Sequence, residues 1–292
     1  MKAAAAAPDR ERRWPDLLRH VYREIVNDDV FGSAAKLAFY FLLALFPLLL
    51  LLTTLIGFAA QAGSELRAQL LSYLAAIAPP AAFRLIDQIL EEVGRGATGG
   101  KLWLGLLGTL WAASNGVEAM TDALNRAYNA AESRAWWKGR VLAVALTVGL
   151  AFLIIAALVL AISGERLAGV AARQLGFGNT FASALKIAQW PAVVVFVLLA
   201  FDLIYYFAPN LRHRQWRWLS PGALVATALW LAASLGFRIY LRRFSDFTAT
   251  YGSLGAVIVL MLWLYLTGAA ILIGGEINSE LRDAAAARSG SS

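Results

Sequence analysis

Six long apolar runs constrain this chain more than anything else in it. They lie at roughly 34–60, 102–124, 141–163, 187–208, 221–241 and 252–275. At 1.5 Å per residue, each is long enough to cross about 30 Å of hydrocarbon as a helix. Runs of that length with almost no charge read as membrane spans. Composition agrees: 60% of the residues are hydrophobic and 15% are charged, against about 25% charge in soluble domains. A soluble chain of 292 residues has no core large enough for so much apolar side chain. The expected fold is an all-α integral membrane protein, a six-transmembrane helix bundle with amphipathic surface helices.

Several function classes fall away at once. The chain has no cysteine, so disulfides, thiolate metal sites and cysteine nucleophiles are excluded. His20 and His213 are far apart in sequence, which speaks against a histidine-built metal site. No Gly-rich phosphate loop and no H-E-x-x-H motif occurs, and no cofactor is expected. The net charge is +7, with the basic residues near span ends. Anionic membrane lipid is therefore the expected partner rather than nucleic acid. A second copy of the chain or an envelope protein is the other partner class.

The segments outside the spans divide the chain. Residues 1–33 form an N-terminal segment, 34–278 the membrane domain with a long extracytoplasmic connection at 61–101, and 279–292 a polar tail. Met1–Arg13 does not read as a cleaved signal. In Trp14–Val26, Trp14, Leu17, Leu18, Val21, Tyr22 and Ile25 share a helical face, with Arg19 and Arg23 on the other side. That helix either lies on the membrane surface or packs on the bundle. The 61–101 connection breaks at Pro79–Pro80 and reads as two short amphipathic helices. Lys and Arg number sixteen on one set of connections and ten on the other. The bias places both termini in the cytoplasm. Arg238, Arg242 and Arg243 oppose it at the outer end of the fifth run, where lipid headgroups are their natural ligands.

Ionisable residues inside spans are expensive and mark functional positions. In the second run, Asn115, Glu118, Asp122, Asn125 and Asn129 recur at steps of three and four, one continuous helix face. Topology brings Lys36, Asp202 and Glu276 to a similar depth from other helices. The expectation is a cytoplasm-open cavity in which Lys36, Asn115, Glu118, Asp122, Asp202 and Glu276 bind a substrate or ion. The plainer alternative is a polar lock in which Lys36 neutralises one carboxylate. Pro47 removes a hydrogen bond inside the first run and should kink it. Gly252, Gly255 and Gly275 allow close helix contacts in the sixth. No metal ligand set and no nucleophile with an adjacent base stands out.

Four blocks carry a resemblance: "FGSAAKLAFYFLLALFPLLLLLTTLIG" (Phe31 to Gly57), "SNGVEAMTDALNRAYN" (Ser114 to Asn129), "FAPN" (Phe207 to Asn210) and "TYGSLGAVIVLMLWLYLTGAAILIGGEIN" (Thr250 to Asn278). Over about residues 15–282 the chain resembles the YihY / virulence factor BrkB family of bacterial inner-membrane proteins. The resemblance implies a six-span protein of the inner membrane. It departs from the family pattern at Ala44, where many relatives have Ser, and at Tyr206, where Arg is common. The family has also carried the label ribonuclease BN. The residues argue against it, since a metal nuclease needs clustered histidines and carboxylates around an ion. The expected function is non-enzymatic: translocation of a lipid or other amphiphilic solute, proton- or cation-coupled. The alternative is a non-transporting membrane scaffold or envelope-integrity protein.

Overall fold

The computed structural model describes residues 14–59, 100–174, 179–211, 219–243 and 247–289. Among these residues there are seven helices and no strand: α1 (Trp14–Asn27), α2 (Val30–Ala59), α3 (Gly100–Ala127), α4 (Trp136–Gln174), α5 (Asn179–Phe207), α6 (Pro221–Arg243) and α7 (Phe247–Ser289). Four segments are long and apolar enough to cross a membrane: Trp136–Ala161, Ile187–Phe207, Pro221–Tyr240 and Val257–Ala285. They belong to α4, α5, α6 and α7. The first two runs expected to span correspond to α2, which passes through Pro47 without a break in the helix, and α3, which carries the polar stripe. The connection expected to hold two amphipathic helices lies outside the described residues from 60 to 99.

α7 is the central post of the bundle. It packs against α1, α2, α3 and α6, while α4 and α5 pair with each other and join the rest mainly through α3 and α6. The core fills with Leu37 from α2, Met120 and Leu124 from α3, and Leu272 from α7, all essentially inaccessible. The outward faces are just as apolar. Val141, Val148 and Phe152 on α4, and Leu224, Leu231 and Leu235 on α6, are exposed at steps of seven and four. An apolar stripe of that kind is unfavourable in water and ordinary in lipid. Trp136 and Trp137 at the start of α4 are also exposed, with Lys138 lying over the Trp137 ring, as befits an interfacial anchor.

α1 resolves one open choice. Val21 is buried, and Ile25 packs on the core, while Arg19, Tyr22, Arg23 and Val26 remain exposed. The helix is thus packed on the bundle, against α7 and α2, with apolar residues left over on its outer side. Asp29 makes the turn into α2. It adopts a left-handed backbone, φ 47°, which Asp tolerates better than most residues, and its carboxylate accepts the Gly32 N–H at 3.2 Å.

One end of the bundle is knitted by hydrogen bonds. Arg134, between α3 and α4, donates to the Ala208 carbonyl and to Asn210 beyond α5. Asn210 donates its backbone N–H to Asn125 and its side-chain amide to the Ala131 carbonyl and Ser133. Gly222 at the start of α6 donates to Asn278 of α7, and Arg282 donates to the Tyr128 carbonyl. The α3–α4 and α5–α6 connections and the C-terminal part of α7 therefore share one end, as consecutive antiparallel helices require.

Candidate functional site

A groove of about 510 Å³ runs between α2 and α3. Helix geometry sets its pattern. From α2 come Ser33, Lys36, Leu37, Tyr40, Leu43 and Ala44; from α3 come Arg126, Asp122, Ala119, Glu118, Asn115 and Ala112. The helices run antiparallel, so Ser33 lies near Arg126, and the two series climb together from there. The pairing is fixed at one end by Arg126, which donates to Ser33 at 3.4 Å. At the other end, a Cβ added to Gly116 would sit 3.0 Å from Ala44 Cβ. The α2 wall turns apolar above Lys36. The α3 wall stays polar from Arg126 to Asn115, about 16 Å of helix. A second, mostly polar pocket of about 520 Å³ adjoins it and shares Ser33, Lys36 and Arg126. Asp28, Asp29, Asn125 and Asn129 also line it.

The charges in the groove are unequally matched. Glu118 is taken by Arg140 of α4, whose guanidinium also donates to Asn115 Oδ1 at 2.8 Å and to the Trp111 carbonyl. Arg140 is buried and stacks on the Trp111 ring at 3.9 Å, a favourable cation–π geometry. Lys36, Arg126 and Asp122 have no such partner. Among the described residues no carboxylate lies within ion-pair distance of Lys36 or Arg126, and no cation lies within that distance of Asp122. All three side chains are exposed in the groove.

Two of the residues expected in the cavity are elsewhere. Asp202 is buried on α5 and does not line the groove. Its carboxylate accepts the backbone N–H groups of Leu219 and Ser220, both at 3.0 Å, and the Ser220 hydroxyl at 2.6 Å. Leu219 is left-handed, φ 65°, a conformation costly for a residue with a Cβ. Asp202 therefore pins a strained turn, and Ser220 in turn caps α6 by accepting the Ala223 N–H at 3.2 Å. Glu276 does not line the groove either. It is 1% exposed, faces Asp28 of the α1–α2 turn, and leaves one oxygen without a partner. Burial, and after it the charge of Glu24, holds the Asp28 carboxyl above its ordinary range; a hydrogen bond with Glu276 and the charge of Arg126 pull it partly back.

The groove thus brings together Lys36, Asn115, Glu118 and Asp122. Arg126 and Arg140 belong to the same constellation and were not among the expected residues. Arg126 was legible, being one helical turn beyond Asp122. Arg140 was not, because an Arg in the first turn of a span reads as an interfacial charge. Arg238 is exposed on α6, and the side chains of Arg242 and Arg243 lie outside the described residues, as do the surroundings of Gly252 and Gly255. Gly275 is at a close contact: a Cβ there would stand 2.7 Å from Leu124 Cδ2. No group of three His, Cys, Asp or Glu side chains among the described residues is placed to hold a metal ion.

Comparison with known proteins places this arrangement in a family. The profile of the family described as Virulence factor BrkB matches residues 21–292. A ribonuclease-like protein of Bacillus subtilis (strain 168), YfkH, is 35% identical over 250 residues, 86% of this chain and 89% of that one. A UPF0761 membrane protein of Alkalilimnicola ehrlichii is 30% identical over 285 residues, and one of Xanthomonas campestris pv. campestris (strain B100) is 26% identical over 278. The chain spans 60% of the length of these last two relatives. No solved structure matches it. With a profile covering nearly all of its length and a relative aligned over most of both chains, the chain belongs to the Virulence factor BrkB family and is a membrane protein.

Proposed function

We propose that the protein is a six-span translocator of an amphiphilic solute, a lipid above all, in the bacterial inner membrane, and that the α2/α3 groove is its path. The observation that carries this reading is the two-sided groove. One wall is polar for about 16 Å and the facing wall is apolar above Lys36. A polar headgroup on the α3 side, with an apolar tail on the α2 side, meets complementary surface along the whole length. Six spans follow if α2 and α3, of thirty and twenty-eight residues, cross with the four other apolar segments, since about 20 residues suffice. The shared end of the α3–α4 and α5–α6 connections supports that alternation. The Lys and Arg bias puts this end, and both termini, in the cytoplasm.

The reading is non-enzymatic. The name of the Bacillus relative describes that protein, and the groove here is built to hold charge beside apolar surface rather than to cluster ligands around an ion. Proton coupling would use the facing carboxyls of Asp28 and Glu276. The test is reconstitution in liposomes with headgroup-labelled lipid. The native protein should accelerate exchange of label between leaflets, and Lys36→Gln with Arg126→Gln should reduce the rate at least about tenfold, the equivalent of one lost charge-assisted contact. A native protein that moves no label while remaining folded favours a scaffold role.

A further inference from the structure

The uneven matching of charge in the groove goes further than its shape. Glu118 is neutralised by Arg140. That leaves two cations, Lys36 and Arg126, and one anion, Asp122, outside any close ion pair among the described residues, with Arg126 hydrogen-bonded to Ser33 and acting on Asp122 only at longer range. Charges standing beside apolar surface are free to meet a ligand's counter-charges. Here they have a fixed order. Lys36 and Arg126 stand on opposite walls, close to Ser33, a third group able to bind an oxyanion. Asp122 is about one helical turn from Arg126, about 6 Å along the axis. Leu37, Tyr40 and Leu43 follow directly on the α2 wall.

Resting on the translocation reading, we propose that the groove selects an amphiphile whose head is a phosphodiester bearing a primary ammonium group, a phosphoethanolamine. Lys36 and Arg126 take the phosphate oxygens through charge-assisted hydrogen bonds. Asp122 accepts the ammonium N–H groups, which stand two carbons beyond the phosphate ester oxygen. The short reach between phosphate and ammonium in that head suits a cation pair and a carboxylate one turn apart. A phosphoglycerol head satisfies the cations and leaves the Asp122 carboxylate without a counter-charge. A diacylglycerol leaves all three unmatched. Asp122 is therefore the specificity determinant, and Lys36 and Arg126 supply affinity common to all phosphodiesters.

The two roles separate in a binding experiment that does not depend on transport. The purified full-length protein is titrated with short-chain phospholipids of identical tails carrying phosphoethanolamine or phosphoglycerol, and bound lipid is counted by native mass spectrometry. The native protein should bind the ethanolamine lipid about tenfold more tightly, the equivalent of one hydrogen-bonded charge pair. Asp122→Asn, an isosteric change at an exposed position, should abolish the preference by weakening only the ethanolamine lipid. Lys36→Gln with Arg126→Gln should weaken both lipids by a similar factor. Equal binding of the two heads by native protein, or equal weakening of both by Asp122→Asn, overturns the assignment. If the preference holds but liposomes show no movement of label, the headgroup site stands and the translocation reading falls. If neither lipid binds, both fall.

Discussion

Single residues show how far chemistry can be read without a structure, and where it stops. Asp202 and Asp122 look alike in sequence: each is a carboxylate inside an apolar run. They differ in what meets them. Asp122 is exposed in the groove, whereas Asp202 is consumed by two backbone N–H groups and a hydroxyl from a turn seventeen residues later. Backbone donors leave no signature in residue type, so that difference was not legible. Asp202→Asn should lower stability by about 1.5–3 kcal/mol, the usual cost of disrupting buried bonds to a charged acceptor. Thermal unfolding in detergent would register that loss, while the folded fraction should retain lipid binding; a stable variant without binding contradicts this placement. Asp28 predicts a pH effect of definite sign. Its carboxyl lies above its ordinary range in the folded protein, so the native state holds a proton that the unfolded state releases. The associated stability is complete at acid pH and is lost as pH rises through the folded value. Asp28→Asn mimics the protonated group and can donate to Glu276. It should match or exceed native stability at neutral pH by less than about 1 kcal/mol, given solvent screening, and its advantage should vanish on acidification. Melting curves at pH 5 and pH 8 decide this, and a variant less stable at pH 8 contradicts it.

At the scale of helices, the sequence was most informative about what touches lipid and least informative about which helix meets which. The apolar runs became long helices because nothing else satisfies a backbone in hydrocarbon. The stripe on α3 divided in a way that spacing alone could not show. Asn115, Glu118 and Asp122 face the groove, while Asn125 reaches back to Glu132 and Asn210 to close the loop beneath it. Small residues announced close contacts without naming partners. Gly222 and Gly274 prove to be back to back: a Cβ on Gly274 would lie 2.6 Å from the Gly222 carbonyl oxygen, and one on Gly222 would collide with the Gly274 carbonyl. Backbone cannot yield as a flexible side chain can. Gly274→Ala should therefore destabilise the α6–α7 pair by about 1–3 kcal/mol, as overpacking does, despite the higher helix propensity of Ala. Gly236, with nothing within 4 Å of its added Cβ, is the control. Gly236→Ala should be neutral or stabilising by up to about 1 kcal/mol. The unfolding temperature should fall for Gly274→Ala and hold or rise for Gly236→Ala, and equal effects would contradict the close α6–α7 approach.

For the molecule as a whole, the account joins a topology to a path. The topology makes a prediction of its own. Cysteines placed at Ser72 and Ser289 in this cysteine-free chain should differ toward an impermeant thiol reagent applied outside intact cells, with position 72 modified and position 289 protected. Equal modification of both contradicts six spans with cytoplasmic termini. The path is the central claim, and obstruction tests it most directly. Ala119 lines the groove midway along the polar wall, and a cysteine there is the only thiol in the protein. Leaflet exchange of headgroup-labelled lipid is measured in liposomes containing Ala119→Cys before modification, after attachment of a bulky methanethiosulfonate reagent, and after its removal by reductant. The account predicts transport before modification, its loss on modification and its return on reduction. Undiminished exchange in the fully modified protein would contradict the groove as the path.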